Sequence, residues 1–218
     1  MAFEEFIEKQ RSIYDKFRNT SAIEQEGLVP RIPNQQGGYL IAFRHPEEIT
    51  DALGEFSYHA SRIIPAVNYD GSNAHTTISD FQVQDNFSPD TQTLENLTRL
   101  VHANKPFSND VAIDYSAWLL NQNTGIAAGE PNLNFYNLVT KIVESAQQQE
   151  TQLRLPWSAH ITTNRFLKNG SSEEVKELLD FYRNSKPLGN STPKCIDVGY
   201  FIFTPEGFEF KVHERFDL

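Results

Sequence analysis

The chain has 218 residues, 39% apolar and 22% charged, which suits one soluble globular domain or two small lobes sharing a core. Its formal net charge of −10 argues against a groove for long nucleic acid, because such strands are held mainly by neutralising their phosphates. An anion site here has to be positive locally. The apolar runs are too short to span a bilayer, and Glu4, Glu5 and Glu8 stand where a secretory signal would be apolar. Cys195 is the single cysteine, so neither an internal disulfide nor a zinc ribbon can form. A cytoplasmic protein without membrane contact is expected.

Residues 2–19 read as an amphipathic helix with Phe3, Phe6, Ile7, Ile13, Tyr14 and Phe17 on one stripe. Residues 20–38, with Gly27, Pro30, Pro33, Gly37 and Gly38, read as a loop. Tyr39 to Arg44 is a short aromatic and aliphatic run that predicts a buried strand. His45-Pro46-Glu47-Glu48 then starts a helix, with Pro46 at its first position and acids at the positive end of its dipole; Ile49, Leu53, Phe56, Ala60 and Ile64 form its apolar face. Pro65 to Asn73 reads as a loop, and a strand runs from Ala74 through Val83. Ser88-Pro89-Asp90 opens a helix carrying Leu94, Leu97, Leu100 and Val101.

Val111 to Leu120 predicts a strand, Asn121 to Gly125 a turn, and Gly125 to Ala128 its hairpin partner. A helix is expected over 131–150, ending in Gln147-Gln148-Gln149-Glu150, and a strand over Leu153 to Phe166. Ser171 stands three residues before Glu174, the spacing of a capping box, so the next helix starts there. Two strands, Cys195 to Phe203 and Phe208 to Phe216, close the chain around a Thr204-Pro205-Glu206-Gly207 turn.

Two of these strands carry nearly the same motif. Ala74-His75-Thr76-Thr77-Ile78-Ser79-Asp80-Phe81 and Ala159-His160-Ile161-Thr162-Thr163-Asn164-Arg165-Phe166 each place Ala before His, Thr two after it and Phe six after it. Alternation in a strand puts His75 beside Thr77 and His160 beside Thr162 on one face, with Thr76 and Thr163 turned away. Two imidazoles, each with a hydroxyl neighbour, suit acid–base chemistry at phosphorus. The motifs lie 85 positions apart, each between helices, a coarse repeat that predicts two similar lobes across a cleft.

With those motifs in place, the sequence resembles the 2H phosphoesterase superfamily, and most closely its 2′-5′ RNA ligase-like and cyclic phosphodiesterase branch. Tyr39 to Leu53 is similar to that family's opening strand and Pro-Glu-Glu helix. Trp157 to Arg165 is similar to its second motif, and Tyr200 to Leu218 to its terminal strands. Asp80 departs from the branch, whose members usually carry an apolar or basic residue there, and residues 2–38 have no clear counterpart. The resemblance implies an α+β fold of two pseudo-symmetric lobes of antiparallel-rich sheet, with outer helices around a central cleft. It also implies a single bilobal domain over 1–218, in which 1–38 is an N-terminal helix and loop extension.

The resemblance also implies that His75 and His160 serve as general base and general acid, in an order the residues do not assign, without metal or other cofactor. Opening a 2′,3′-cyclic phosphate takes a proton from water and gives one to the leaving oxygen on opposite sides of phosphorus. An ordinary imidazole pKa of about 6.5 suits both steps. Thr77 and Thr162 would donate to the non-bridging oxygens. Arg165 lies off the His/Thr face by strict alternation and would reach a phosphate from the rim. Tyr39, Trp157 and Phe81 are candidates to stack on a base, with core packing favoured for Phe81. The implied substrates are small: 2′,3′-cyclic nucleotides, RNA ends bearing a cyclic phosphate, or 2′-5′-linked oligonucleotides.

Enzymes that degrade cyclic oligonucleotide messengers of immune signalling form a related reading, and a non-catalytic nucleotide-binding module is the rival. ATP-dependent joining is disfavoured, since neither a nucleotidyl-lysine site nor a Gly-rich phosphate loop is present. His45, His59, His102 and His213 read as structural, without a second ligand at metal spacing, and Cys195 as a buried thiol.

Overall fold

The computed structural model describes residues 1–107, 110–149 and 151–218. Helices α1 (Phe3–Arg18) and α2 (Ser21–Glu26) lead into strand β1 (Gln36–Arg44), helix α3 (Glu47–Ile63), and strands β2 (Ala66–Asn68) and β3 (Thr76–Asp85). Next come α4 (Thr91–His102), β4 (Ile113–Leu120), β5 (Thr124–Pro131), α5 (Leu133–Gln148) and β6 (Ala159–Phe166). The chain ends with α6 (Ser172–Asn184), β7 (Gly189–Ser191), β8 (Cys195–Thr204) and β9 (Gly207–Asp217). Glu150, the last residue of the helix expected over 131–150, lies outside the described residues.

Local chemistry sets most boundaries. Asp90 caps α4 by accepting from the Thr93 N–H at 2.7 Å, and Asn132 caps α5 from the Phe135 N–H at 3.0 Å. At α6 the capping box is complete: Glu174 N–H donates to Ser171 Oγ at 3.2 Å and Ser171 N–H to Glu174 Oε2 at 2.6 Å. Pro46 sits one residue earlier than expected. It is the N-cap of α3, with φ −58° and an extended ψ of 156°, which a proline ring tolerates.

The expected loops need three corrections. Segment 20–38 contains α2 and the start of β1, the loop after Pro65 contains β2, and β7 forms in a stretch with no expected element. Each unforeseen element is six residues or fewer, too short to show a period. β5 also runs on to Pro131 through Ala127, Ala128 and Gly129, small residues poor in strand propensity. Their smallness has a use: a Cβ at Gly129 would stand 2.1 Å from the Ala159 carbonyl oxygen.

The strands join one antiparallel sheet in the order β7-β4-β5-β6-β3-β1-β8-β9, with β2 paired to β6. Its two halves, β7-β4-β5-β6 with β2 and β3-β1-β8-β9, meet at β3 and β6, which share one bridge pair, Thr76 with Ile161. The sheet curls, so the β8–β9 hairpin returns over the concave face: Leu40 and Ala42 of β1 pack against Phe210 there. The main core lies under the helices, around Phe43, Tyr115, Phe135 and Phe166, and takes in Phe6, Ile23 and Leu28 from the N-terminal segment.

Candidate functional site

The concave face opens into a cavity of about 730 Å³, and His75, Thr77, His160 and Thr162 all line it. Burial alternates as strand geometry demands. These four are half-buried, while Thr76, Ile78, Ile161 and Thr163 on the reverse face are buried. Continuing the Thr76–Ile161 register by one residue each way sets His75 opposite Thr162 and Thr77 opposite His160. The two histidines are then diagonal neighbours, and such a pair has Cα atoms about 7–8 Å apart.

Each imidazole is held at Nδ1 by the residue two before it. His75 Nδ1 lies 2.7 Å from the Asn73 carbonyl oxygen, which can only accept, so Nδ1 carries the hydrogen and Nε2 keeps the lone pair. His160 Nδ1 lies 3.0 Å from Ser158 Oγ. Each ring is also backed by an aromatic: Phe208 stacks on His75 with centroids 5.5 Å apart, and Trp157 on His160 at 4.0 Å. Burial pushes the His75 pKa down to about 4, helped by the charges of Arg44 and Arg165 against the pull of the Asn73 carbonyl. Burial likewise lowers His160 to about 3, with Arg165 and then His75 adding repulsion. Both rings are therefore neutral at pH 7.

Arg165 lines the same cavity, which corrects its expected place off the face. The β5–β6 ladder shifts register between Gly125/Asn164 and Ile126/Thr162, so Thr163 is an extra residue in β6. One extra residue reverses the alternation and brings Arg165 back to the Thr162 side. Its guanidinium donates to Thr124 Oγ1 at 2.9 Å and lies 5.8 Å from the centre of the Phe203 ring. Its Nε is buried without a hydrogen-bond partner among the described residues.

Tyr39 is not a cavity residue, which overturns its expected stacking role. It is 2% exposed, packs edge-on against Phe87 with centroids 5.0 Å apart, and accepts the Asp90 N–H at its hydroxyl. A ring in that position offers no free face. Trp157 does line the cavity and is 42% exposed, but one indole face lies on His160, so it supports the histidine more than it presents a platform. Phe81 packs partly buried against the core, beside Tyr39.

Other lining residues gave no sequence signal. Arg31 and Arg154 join Arg165 on the wall, where among the described lining residues Asp80 is the one carboxylate, so the cavity is locally positive in an acidic chain. Phe201, Phe203 and Phe208 come from the returning hairpin and Tyr69 from the loop before His75. Only the curl of the sheet brings them near the motifs. Behind the wall, His45 bonds Ser191 Oγ at 2.8 Å and Thr76 Oγ1 at 3.0 Å, with the Tyr115 hydroxyl 2.5 Å from Thr76. Among the described residues no group of three or more His, Cys, Asp or Glu side chains could hold a metal ion. No helix among them is long and apolar enough to cross a membrane.

No protein-family model matches the sequence, and no curated protein matches it. Solved structures do match. TT0787 of Thermus thermophilus superposes with a TM-score of 0.61 at 16% identity, covering 83% of this chain and 97% of that one. E. coli LigT complexed with 3′-AMP gives 0.55 at 14% identity, covering 84% and 98%. A further structure described as a phosphoesterase gives 0.50 at 14%, covering 85% and 99%. The chain has the fold of these structures. At these identities the likeness establishes the architecture alone, α+β with a curled antiparallel sheet and outer helices. The two His-x-Thr motifs stand at the seam of this fold, and the concave cavity opens over them.

Proposed function

We propose that the protein is a metal-independent phosphodiesterase acting on a small nucleotide, a 2′,3′-cyclic phosphate or a 2′-5′ linkage, with His75 and His160 as its acid–base pair. The observation that carries this is the placement of His75, Thr77, His160 and Thr162 together on the wall of one cavity, two on each side of the β3–β6 seam. A diagonal pair of imidazoles lets one phosphate sit between two ring nitrogens, each within about 2.6–3.2 Å of an oxygen. One ring takes the proton of the attacking hydroxyl or water while the other protonates the leaving oxygen. Thr77 and Thr162 donate to the non-bridging oxygens as charge builds on them.

Arg165 holds the phosphate from beyond Thr162, where its unpartnered Nε–H gains an acceptor. Both rings start neutral, and the bound anion favours charging one of them, which supplies the acid. E. coli LigT has been crystallised with 3′-AMP and with NADP+, ligands of the size this cavity takes.

The test is a panel of 2′,3′-cyclic mononucleotides, cyclic-phosphate RNA, 2′-5′ oligoadenylate and cyclic oligonucleotides, assayed with EDTA. His75→Ala and His160→Ala should each lower kcat by about 10²–10⁴-fold. Full activity in either variant refutes the acid–base assignment. Tight binding of a nucleotide that stays intact for hours identifies a binding module instead, and turnover confined to cyclic oligonucleotides selects the messenger-degrading reading.

A further inference from the structure

Two of the three arginines on the cavity wall have no task in the acid–base reading. Arg31 and Arg154 are exposed, and neither guanidinium has a hydrogen-bond or ion-pair partner among the described residues. The described ion pairs take Arg18, Arg44, Arg183 and Arg215 instead. Among the described lining residues the charges of Arg31, Arg154 and Arg165 face one carboxylate, Asp80, so two positive charges are in excess while both imidazoles are neutral. A single phosphodiester brings only one negative charge to balance them. The cavity is also larger than one phosphate needs: its volume of about 730 Å³ falls within the roughly 300–1,000 Å³ of sites that enclose a whole small molecule.

The chain fixes where these charges stand. Arg154 is held by its backbone, whose N–H donates to Ser79 Oγ at 3.2 Å and whose carbonyl accepts from the same hydroxyl at 2.9 Å. Ser79 lies two residues beyond Thr77 on β3, away from His75, about 7 Å at a strand's rise of about 3.3 Å per residue. Arg165 is tied elsewhere, to Thr124 on β5 at 2.9 Å. Arg31 arrives on a strap, residues 29–35. At one end the Val29 N–H donates to the Gln122 carbonyl at 2.6 Å, in the β4–β5 turn; at the other the Gln35 carbonyl accepts from the Asn86 N–H at 3.1 Å, just past β3. The strap therefore joins the two halves of the sheet across their seam. Between its anchors, Arg31, Ile32 and Pro33 all line the cavity. Pro30 and Pro33 stiffen it.

We propose that Arg154 and Arg31 form a second phosphate subsite, so that the preferred substrate carries two phosphates, the scissile one between the histidines and another beyond Thr77. Each guanidinium offers a planar fork of donors that matches phosphate oxygens, and each is free to turn to them. The second phosphate is either a terminal 5′-phosphate or the linkage to a further nucleotide, which the arginines recognise alike. The inference rests on the phosphodiesterase reading for the place of the scissile phosphate. It gives the N-terminal extension a part in choosing the substrate.

The experiment is calorimetry with 3′-AMP and adenosine 3′,5′-bisphosphate at about 0.15 M salt, where a Debye length of about 8 Å screens distant charges. The unmodified protein should bind the bisphosphate about tenfold or more tightly than 3′-AMP. In Arg154→Met and in Arg31→Met that ratio should fall toward one. Equal affinity for the two ligands in the unmodified protein overturns the subsite. So does an unchanged ratio in either variant, including one that weakens both ligands alike and so places that arginine on the shared 3′-phosphate. Initial rates then identify the source of the second phosphate. kcat/KM should be lowest for 2′,3′-cyclic AMP; a gain confined to its 5′-phosphorylated form assigns the terminal phosphate, and one confined to a dinucleotide ending in a 2′,3′-cyclic phosphate assigns the linkage. A bisphosphate preference lost in both variants, in a protein that cleaves none of these substrates, keeps the subsite and removes the phosphodiesterase reading. Turnover with no preference for a second phosphate does the reverse.

Discussion

The two depressed histidines predict an unusual pH profile. The proposed acid–base catalysis needs one ring charged and one neutral, and in the free protein the values are about 4 for His75 and about 3 for His160. Above both values each unit of pH removes nine-tenths of the singly protonated form. kcat/KM, which reports the free enzyme, should therefore rise about tenfold per unit as pH falls from 8 to 6. The substrate changes this. A phosphate charge about 4 Å from a ring, at an effective dielectric of about 20, favours the protonated form by about 4 kcal/mol. That is roughly three pKa units and carries the acid from near 4 to near 7. kcat should then be nearly flat below pH 6.5 and fall only above neutrality. Initial rates on 2′,3′-cyclic AMP between pH 5.5 and 8.5, at constant ionic strength, separate the two profiles. A kcat/KM maximum between pH 6 and 7 would show that the rings titrate in the free protein like exposed histidines, and would refute the reasoning.

Three further outcomes follow from the geometry. Burial lowers His45 to about 3, whereas the unfolded chain protonates it near 6.5, so its contribution to stability is complete above pH 6.5 and is lost as pH falls toward 3. The rate of loss is about 1.4 kcal/mol per unit, and urea unfolding at pH 7 and 5 should show a shallower loss in His45→Gln; parallel slopes would count against a neutral buried ring. Arg165→Met should weaken binding of a phosphate-bearing ligand by about tenfold or more, as loss of a charge-assisted contact does, read by calorimetry with 3′-AMP. In Gly125→Ala the new Cβ would stand 1.9 Å from the Tyr182 hydroxyl, which is tied to Thr163 and Asn164, so the urea midpoint should drop by an equivalent of about 1–3 kcal/mol at unchanged m.

The long periodic elements were legible because their burial is one-sided: α1, α3 and α4 each show their apolar stripe in the sequence, and α6 its capping box. The paired motif was legible because alternation carries from His to Thr without interruption. Arg165 was misplaced because a bulge at Thr163 is invisible to a rule of strict alternation. The bulge leaves two consecutive buried residues, Thr163 and Asn164, where alternation allows one. Tyr39 was misread because an aromatic beside a cleft and an aromatic in a core look alike in one dimension; the Asp90 N–H that claims its hydroxyl lies 51 residues away. Gln10 was passed over because it is polar on an otherwise apolar stripe, and its partner, the Ala159 N–H, is 149 residues distant.

The cavity exists because the two halves of the sheet are joined so sparsely. A full ladder between β3 and β6 would close the seam; with one bridge pair the strands part around Thr76 and Ile161. Parting leaves backbone polar groups that must find partners elsewhere. Side chains supply them. Ser79 Oγ donates to the Arg154 carbonyl at 2.9 Å and accepts from its N–H at 3.2 Å, binding β3 to the segment before β6. Gln10 takes the Ala159 N–H. The Thr163 carbonyl at the bulge accepts from Ser57 Oγ at 2.6 Å and from the Tyr69 N–H at 3.2 Å. On the reverse face the buried network of His45, Thr76, Tyr115 and Ser191 ties β3 to β4 and β7 across the same line. The polar residues around the motifs thus do for the seam what ladder bonds do within each half, and the space they leave open is where a phosphate would sit.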